Sequence, residues 1–318
     1  MFLDIREIYL GPTFLPATFY LKIIFMFRPN SPNISYTIEC YICPGLSWSL
    51  DKQREFVTEL REVVIESFGF TDPSQLPAYQ CLVWPDGTPE GASLDNKVIA
   101  VARERTHFPS KGPGKMLGFN SAVLLPILGL PSPVLHLGLT CIIPSARSYG
   151  LTKSFTTRII TLTFLRLTTA HSQKLWITSL ACVVSSLGNV AREFDNVWPS
   201  PAHPNGPPSD MHAHIAAYIA QSPNLRKELY IPSGCIYDAD KSVFQGSVKG
   251  TVFSKERNDE RYHHRSGEMN KFYDSRIDWE RGDEVLEIWN ISLTNVVLMP
   301  LRMLLFPLRG RWGLPAVL

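Results

Sequence analysis

The sequence predicts an α/β fold, and three observations predict it. Val134 to Ile143 is an apolar, β-branched run that passes through a short polar loop into a helical pattern from about Leu151, and a second apolar run, Leu175 to Val184, follows. Ile34, Tyr36, Ile38, Cys40 and Ile42 alternate with more polar neighbours, the period-2 pattern of a half-buried strand. Leu50, Phe56, Leu60, Val63, Val64 and Phe68 recur at helical spacing, with Asp51, Glu55, Glu59, Glu62 and Glu66 left to face water.

Each element follows from its own residues. The first strand spans 34–42, and Pro44 and Gly45 lead to Ser47 or Ser49, either of which can cap a helix that ends at Gly69. Residues 70–96 are turn material around a short apolar run at 81–84, an insertion suited to shaping a pocket. Lys97 to Arg103 and Met116 to Leu128 read as the second and third strands. The basic turn between them carries His107, Lys111 and Lys115, which read as a solvated connection or as contacts to an acidic ligand.

The central strand stops at Pro144, which has no ladder donor. In the loop that follows, Gly150 supplies backbone freedom, Arg147 and Lys153 supply positive charge, and Ser148, Thr152 and Ser154 supply hydroxyls. A helix starting there has unpaired first-turn amides and a dipole suited to an anion. The same stretch also reads as a ligand-free strand–turn–helix joint.

Further along, five prolines and a glycine between Phe194 and Pro208 exclude regular structure. A helix is predicted over His212 to Leu225, introduced by Ser209 or Asp210. Strands are predicted at Glu228–Tyr237, Ser242–Ser254 and Glu284–Thr294, with a charge-rich region at 255–283.

Composition narrows the function classes. The 318 residues carry a net charge of +2, only 19% are charged, and no Lys/Arg block of five occurs, which argues against a nucleic-acid partner. Cys40 and Cys43 have metal-ligand spacing but no second pair, and Cys141 and Cys182 lie in apolar runs, a pattern that suggests a reducing, cytoplasmic compartment. His212 and His214 diverge if that stretch is a helix, so no metal is expected. HExxH, Walker, GxSxG and dinucleotide fingerprints are all missing. The apolar runs at 14–27 and 295–308 are short and broken by proline and a basic residue. They read as core-packed segments or as weak membrane contacts, and the first lacks the layout of a secretory signal.

Arg147-Ser148-Tyr149-Gly150-Leu151-Thr152 resembles the arginine-or-glutamine, two residues, glycine, one residue, glycine-or-alanine loop of the GNAT acyltransferase superfamily, with Thr152 at the last, normally small position. Ile142, Ile143 and Pro144 resemble the lead into that loop, and Leu187 to Ala191 resemble the helix onset after the fifth strand. The likeness covers about residues 35–200. It implies a GNAT-like, mixed and mostly antiparallel central sheet flanked by helices. Around it stand an apolar segment at 1–33, a core at 34–200, a C-terminal part at 201–294 and an apolar tail at 295–318.

The resemblance further implies coenzyme A-dependent acyl transfer, from acetyl-CoA or another acyl-CoA, to a small-molecule amine or hydroxyl. Arg147, Ser148, Tyr149, Gly150, Leu151 and Thr152 would bind the pyrophosphate, with Asn189 nearby. Cys141, Ile142 and Ile143 would meet the pantetheine arm through their backbones, where the fourth and fifth strands splay. His136 resembles the position of a basic glutamate in many relatives, and simple alternation puts it on one face with Gly138, Thr140 and Ile142. It reads equally as a hydrogen-bonded core histidine. Glu193 and Asp195 are further candidates beside the acceptor, and Tyr218 loosely resembles a tyrosine that protonates the leaving thiolate. Two rivals stay open. One is the same fold used for lyase, dehydratase or cyclase chemistry by His136 with Asp195 or His214, and the other is a non-enzymatic peripheral binding protein.

Overall fold

Nine strands share one sheet among the described residues: β1 (Phe25–Phe27), β2 (Tyr36–Ile42), β3 (Lys97–Glu104), β4 (Met116–Leu125), β5 (Val134–Ile142), β6 (Lys174–Ala181), β7 (Ile236–Asp238), β8 (Val243–Gln245) and β9 (Glu284–Ser292). Their order is β1-β2-β3-β4-β5-β6-β9-β8-β7. Every neighbouring pair is antiparallel except β5 and β6, which run parallel. The helices are α1 (Leu50–Phe68), α2 (Leu151–Leu167), α3 (Val184–Glu193), α4 (Asp210–Gln221), α5 (Pro223–Glu228) and α6 (Gly267–Asp274). This is the mixed, mostly antiparallel sheet flanked by helices that the sequence predicts.

The structure, a computed structural model, describes residues 36–88, 91, 93–105, 113–147, 149–167, 174–204 and 206–292, and the backbone of 25–27. The remainder of both apolar runs, His107, Lys111 and Ser148 lie outside the described residues. Among the described residues no helix is long and apolar enough to cross a membrane.

Local signals place α1 where the sequence puts it. The Ser49 hydroxyl accepts the Lys52 N–H at 3.4 Å, and Gly69 closes the helix at φ 70°. α1 and α2 cover opposite faces of the sheet. Glu39 and Arg103 face α1, where Arg103 pairs with Glu59, whereas Tyr36 and Cys40 lie beside Arg158 of α2. Val57, Leu60 and Val64 of α1 and Phe155, Ile159 and Ile160 of α2 are fully or almost fully buried in the main core. Burial of each such side chain contributes about 1.5–3 kcal/mol. A second cluster joins Ile215 and Ile219 of α4 to Leu125 and Ile288, on the α1 side of the sheet.

Three expectations are corrected. The apolar run after Leu175 divides, because Val183 takes an extended N-cap conformation and α3 already begins at Val184, ahead of the onset read at Leu187. The strands expected at 228–237 and 242–254 shrink to three residues each: α5 runs to Glu228 and Tyr230 turns at φ 61° in the first stretch, and Gly246 and Gly250, at φ 71° and 72°, turn the second. The charge-rich region contains α6, held by a tertiary bond from Tyr273 Oη to Glu287 Oε1 at 2.6 Å.

Candidate functional site

The parallel pair at the centre of the sheet is short. β5 and β6 pair only over Leu135–Leu137 and Ile177–Ser179. Beyond that, β6 stays with β9 through Ala181 opposite Val285, and β5 stays with β4 through Ile142 opposite Gly118. The two strands therefore part, and the facing backbone of β5 loses its ladder partner from Gly138 onward.

A bulge sits where they part. Asn120 opposes Thr140 but Ala122 opposes Leu137, so Gly138 and Leu139 together face Ser121. A Cβ at position 138 would lie 2.7 Å from the Ser121 carbonyl oxygen, a distance only glycine avoids. The extra residue breaks the simple alternation read from sequence. His136 shares its face with Cys141, and Thr140 and Ile142 point to the other.

The same register sorts the backbone groups. The Ile143 N–H reaches Leu117 O at 3.0 Å and its carbonyl accepts the Ala146 N–H at 3.0 Å. By ladder alternation, Thr140 and Ile142 turn their N–H and C=O groups to the gap, while Cys141 and Ile143 serve β4. Of the three arm residues expected, Ile142 faces the opening.

On the α1 face of this gap lies a cavity of about 190 Å³, lined by His136 and Gly138, by Leu180 to Val183 at the end of β6, and by Tyr79, Lys97, Glu228, Phe253, Lys255 and Glu284. That is roughly ten times what one water needs. Lys97, itself buried, donates from Nζ to the half-buried Glu228 Oε2 at 2.7 Å. Lys255 Nζ donates to Val252 O at 3.0 Å and lies over the Tyr262 ring. Both cations therefore have partners. The His136 ring bonds through Nδ1 to Thr178 Oγ1 at 2.9 Å, and burial pushes its pKa down to about 3, so it is neutral. Glu284 Oε2 accepts from Ser247 Oγ at 2.9 Å, Oε1 has no hydrogen bond among the described residues, and burial pushes the carboxyl up to about 7. Tyr79 stacks on Tyr230 at 4.7 Å and meets Phe253 edge-on at 5.5 Å, and its hydroxyl has no hydrogen bond among the described residues.

At the end of β5, a short 3₁₀ turn over Pro144–Ala146 takes up the Arg147 N–H. The Arg147 guanidinium donates to Ser67 O at 2.6 Å and Ile142 O at 3.4 Å, fastening the loop to the end of α1. Gly150 has φ 70° with open space around it, and Ser154 N–H closes the first helical turn on Gly150 O. The amides of Gly150, Leu151 and Thr152 make no hydrogen bond among the described residues. Leu151 is buried, Tyr149 packs on the main core and Thr152 is exposed.

The other sequence candidates lie outside the cavity lining. Asn189 is exposed on α3 and accepts from Arg192. Glu193 pairs with Lys153 at 3.8 Å and Arg192 at 3.7 Å. Asp195 is exposed, and Tyr218 packs in the second apolar cluster with its ring 6.3 Å from that of His214. His214 bonds to Leu128 O, and His212 bonds to Ser209 and Asn196, so the two histidines do not converge. Among the described residues no group of three or more His, Cys, Asp or Glu side chains could hold a metal ion. Sequence reasoning missed Tyr79, Lys97, Glu228 and Glu284. The one signal was the 70–96 insertion, already suited to a pocket wall.

No protein-family model and no curated protein matches the chain. Among solved structures it is similar to an aminoglycoside N-acetyltransferase, AAC(6')-Iy, in complex with CoA, at 16% identity over 43% of this chain and 74% of that one, with a TM-score of 0.27. So slight a likeness carries no assignment.

Proposed function

We propose that the protein transfers an acyl group from acetyl-CoA or another acyl-CoA to a small-molecule amine or hydroxyl. One observation carries the reading: the parallel strands part after three residue pairs, immediately before a glycine loop whose amides open a helix. The gap suits an amide-bearing chain, because Thr140 and Ile142 offer it strand-like hydrogen bonds that β6 no longer supplies. The amides of Gly150, Leu151 and Thr152, with the Arg147 and Lys153 charges, suit the diphosphate that such a chain carries. When bound, acyl-CoA supplies the thioester whose acyl group moves. His136, the sequence candidate that the cavity keeps, presents a neutral imidazole oriented by Thr178.

The test is titration calorimetry with acetyl-CoA on three proteins. The parent is expected to bind saturably. Gly150→Val is expected to lose at least about tenfold in affinity, since a side chain at φ 70° adds roughly 1–2 kcal/mol of strain and fills the space before the amides. Gly129→Val carries the same kind of strain at φ 86° in the β4–β5 turn, at the other end of β5, and is expected to bind like the parent. Absence of binding by the parent, or equal binding by Gly150→Val, contradicts the proposal.

A further inference from the structure

The cavity holds two polar groups that no internal contact explains. Glu284 enters from the first residue of β9, one position before Val285 pairs with Ala181, so it stands beside the end of β6, beyond the last β5–β6 pair. Only Oε2 is held, by Ser247. Tyr79 enters from the insertion after α1, with its ring fixed between Tyr230 and Phe253 and its hydroxyl unpartnered among the described residues. Both side chains are partly buried, and these two atoms stay open to the cavity, where a bound molecule can partner them.

We infer that Glu284 accepts the proton of the acceptor group and that Tyr79 gives a proton to the departing sulfur. The inference rests on the acyl-transfer reading above. As the acceptor's nitrogen or oxygen bonds to the acyl carbon, its N–H or O–H proton passes to Glu284 Oε1. As the carbon–sulfur bond breaks, the sulfur takes the proton of Tyr79 Oη. The proton on Glu284 then returns through solvent to the Tyr79 oxygen, and both residues end as they began.

The environments divide these roles. Burial raises Glu284 to about 7, where a carboxylate is both available and basic enough to take a proton at neutral pH. Burial, followed by the charge of Glu284, raises Tyr79 well above the ordinary phenol value and keeps it a donor. Environments that separate two neighbouring groups in this way mark acid and base.

Burial moves three other groups facing Glu284 away from neutrality. Burial lowers His136 on β5 to about 3, raises Cys182 at the end of β6 to about 12, and raises Cys235 before β7. Lys97 and Glu228 form their own ion pair, as do Arg281 and Asp283, and Lys255 is held by Val252 O. An acid limb in the rate that disappears in Glu284→Gln reports Glu284.

The experiment compares the full-length parent, Glu284→Gln and Tyr79→Phe. It reads thiol release from acetyl-CoA with water, primary amines and alcohols as acceptors, alongside ¹³C NMR titration of labelled glutamate carboxyls. In the parent, a carboxyl titrating near pH 7 is expected, and it should vanish from the spectrum of Glu284→Gln, whereas Glu287, also raised by burial, remains in both. The parent's kcat/KM is expected to rise through the same pH. Glu284→Gln should lose about 10²–10⁴-fold in rate and the acid limb while keeping acetyl-CoA affinity. Tyr79→Phe should lower kcat and keep the acid limb. If the parent releases thiol and Glu284→Gln does so at the same rate and pH profile, or if no glutamate titrates near 7, the Glu284 assignment is overturned alone. A parent that binds no acetyl-CoA overturns the transfer reading beneath it.

Discussion

Replacing Glu284 by glutamine should make the protein more stable, and by an amount that grows with pH. The carboxyl moves from an ordinary 4.5 to about 7 because burial penalises its charged form. A raised carboxyl contributes stability that is fully present below the unfolded value and is lost as pH rises through the folded one. Between about pH 5 and pH 8 the folded parent must release a proton that the unfolded chain has already given up. Giving up a proton that the folded carboxyl holds so much more tightly costs about 2–3 kcal/mol over that range. Glutamine keeps the shape and still accepts from Ser247 Oγ, but never ionises. Urea unfolding followed by circular dichroism at about pH 5 and pH 8 measures the difference. The Glu284→Gln advantage should be small at the lower pH and about 2–3 kcal/mol larger at the higher one. An advantage that does not change with pH, or a variant less stable than the parent in alkali, refutes the reasoning. Greater stability with lost activity is what a functional group held in a strained environment produces.

His136 has the opposite sign. Its folded value lies at about 3, so stability is intact above 6.5 and is lost as pH falls toward 3. His136→Gln should remove about 2 kcal/mol of that acid loss between about pH 7 and pH 5, read by the same unfolding curves. Gly138→Val should destabilise by about 1–3 kcal/mol in thermal melts, because its Cβ would meet Ser121 O at 2.7 Å. Gly234→Val, with nothing within 4 Å, should stay within about 0.5 kcal/mol of the parent.

What the sequence made legible was local. α1 announced itself by period, by Ser49 before it and by Gly69 after it, and β5 by its β-branched run and Pro144. The break between β6 and α3 was hidden, since an apolar run reads the same in either element. The strands expected around 228–254 alternated well enough, yet Tyr230, Gly246 and Gly250 at positive φ turned that stretch back. α6 depends on Tyr273 reaching Glu287, a contact no local pattern encodes. The candidate site shows the same division. The loop from Arg147 to Thr152 could be read because its chemistry is contiguous in the chain. The Gly138–Leu139 bulge is a property of pairing with β4, and it is what puts Thr140 and Ile142 rather than Cys141 at the gap. Glu284 and Tyr79 lie far apart in the chain and belong to no motif. Each is an ordinary glutamate or tyrosine until the sheet places both on one cavity.

Hydrogen–deuterium exchange read by mass spectrometry, with and without acetyl-CoA, asks most directly whether the parting of β5 and β6 is a cofactor groove. The account expects slower exchange in peptides covering 138–143 and 149–153, where the amides of Thr140, Ile142 and Gly150 to Thr152 would gain partners, with β2 and β3 unchanged. Unaltered exchange in those peptides at saturating acetyl-CoA, or protection confined to other strands, would contradict it.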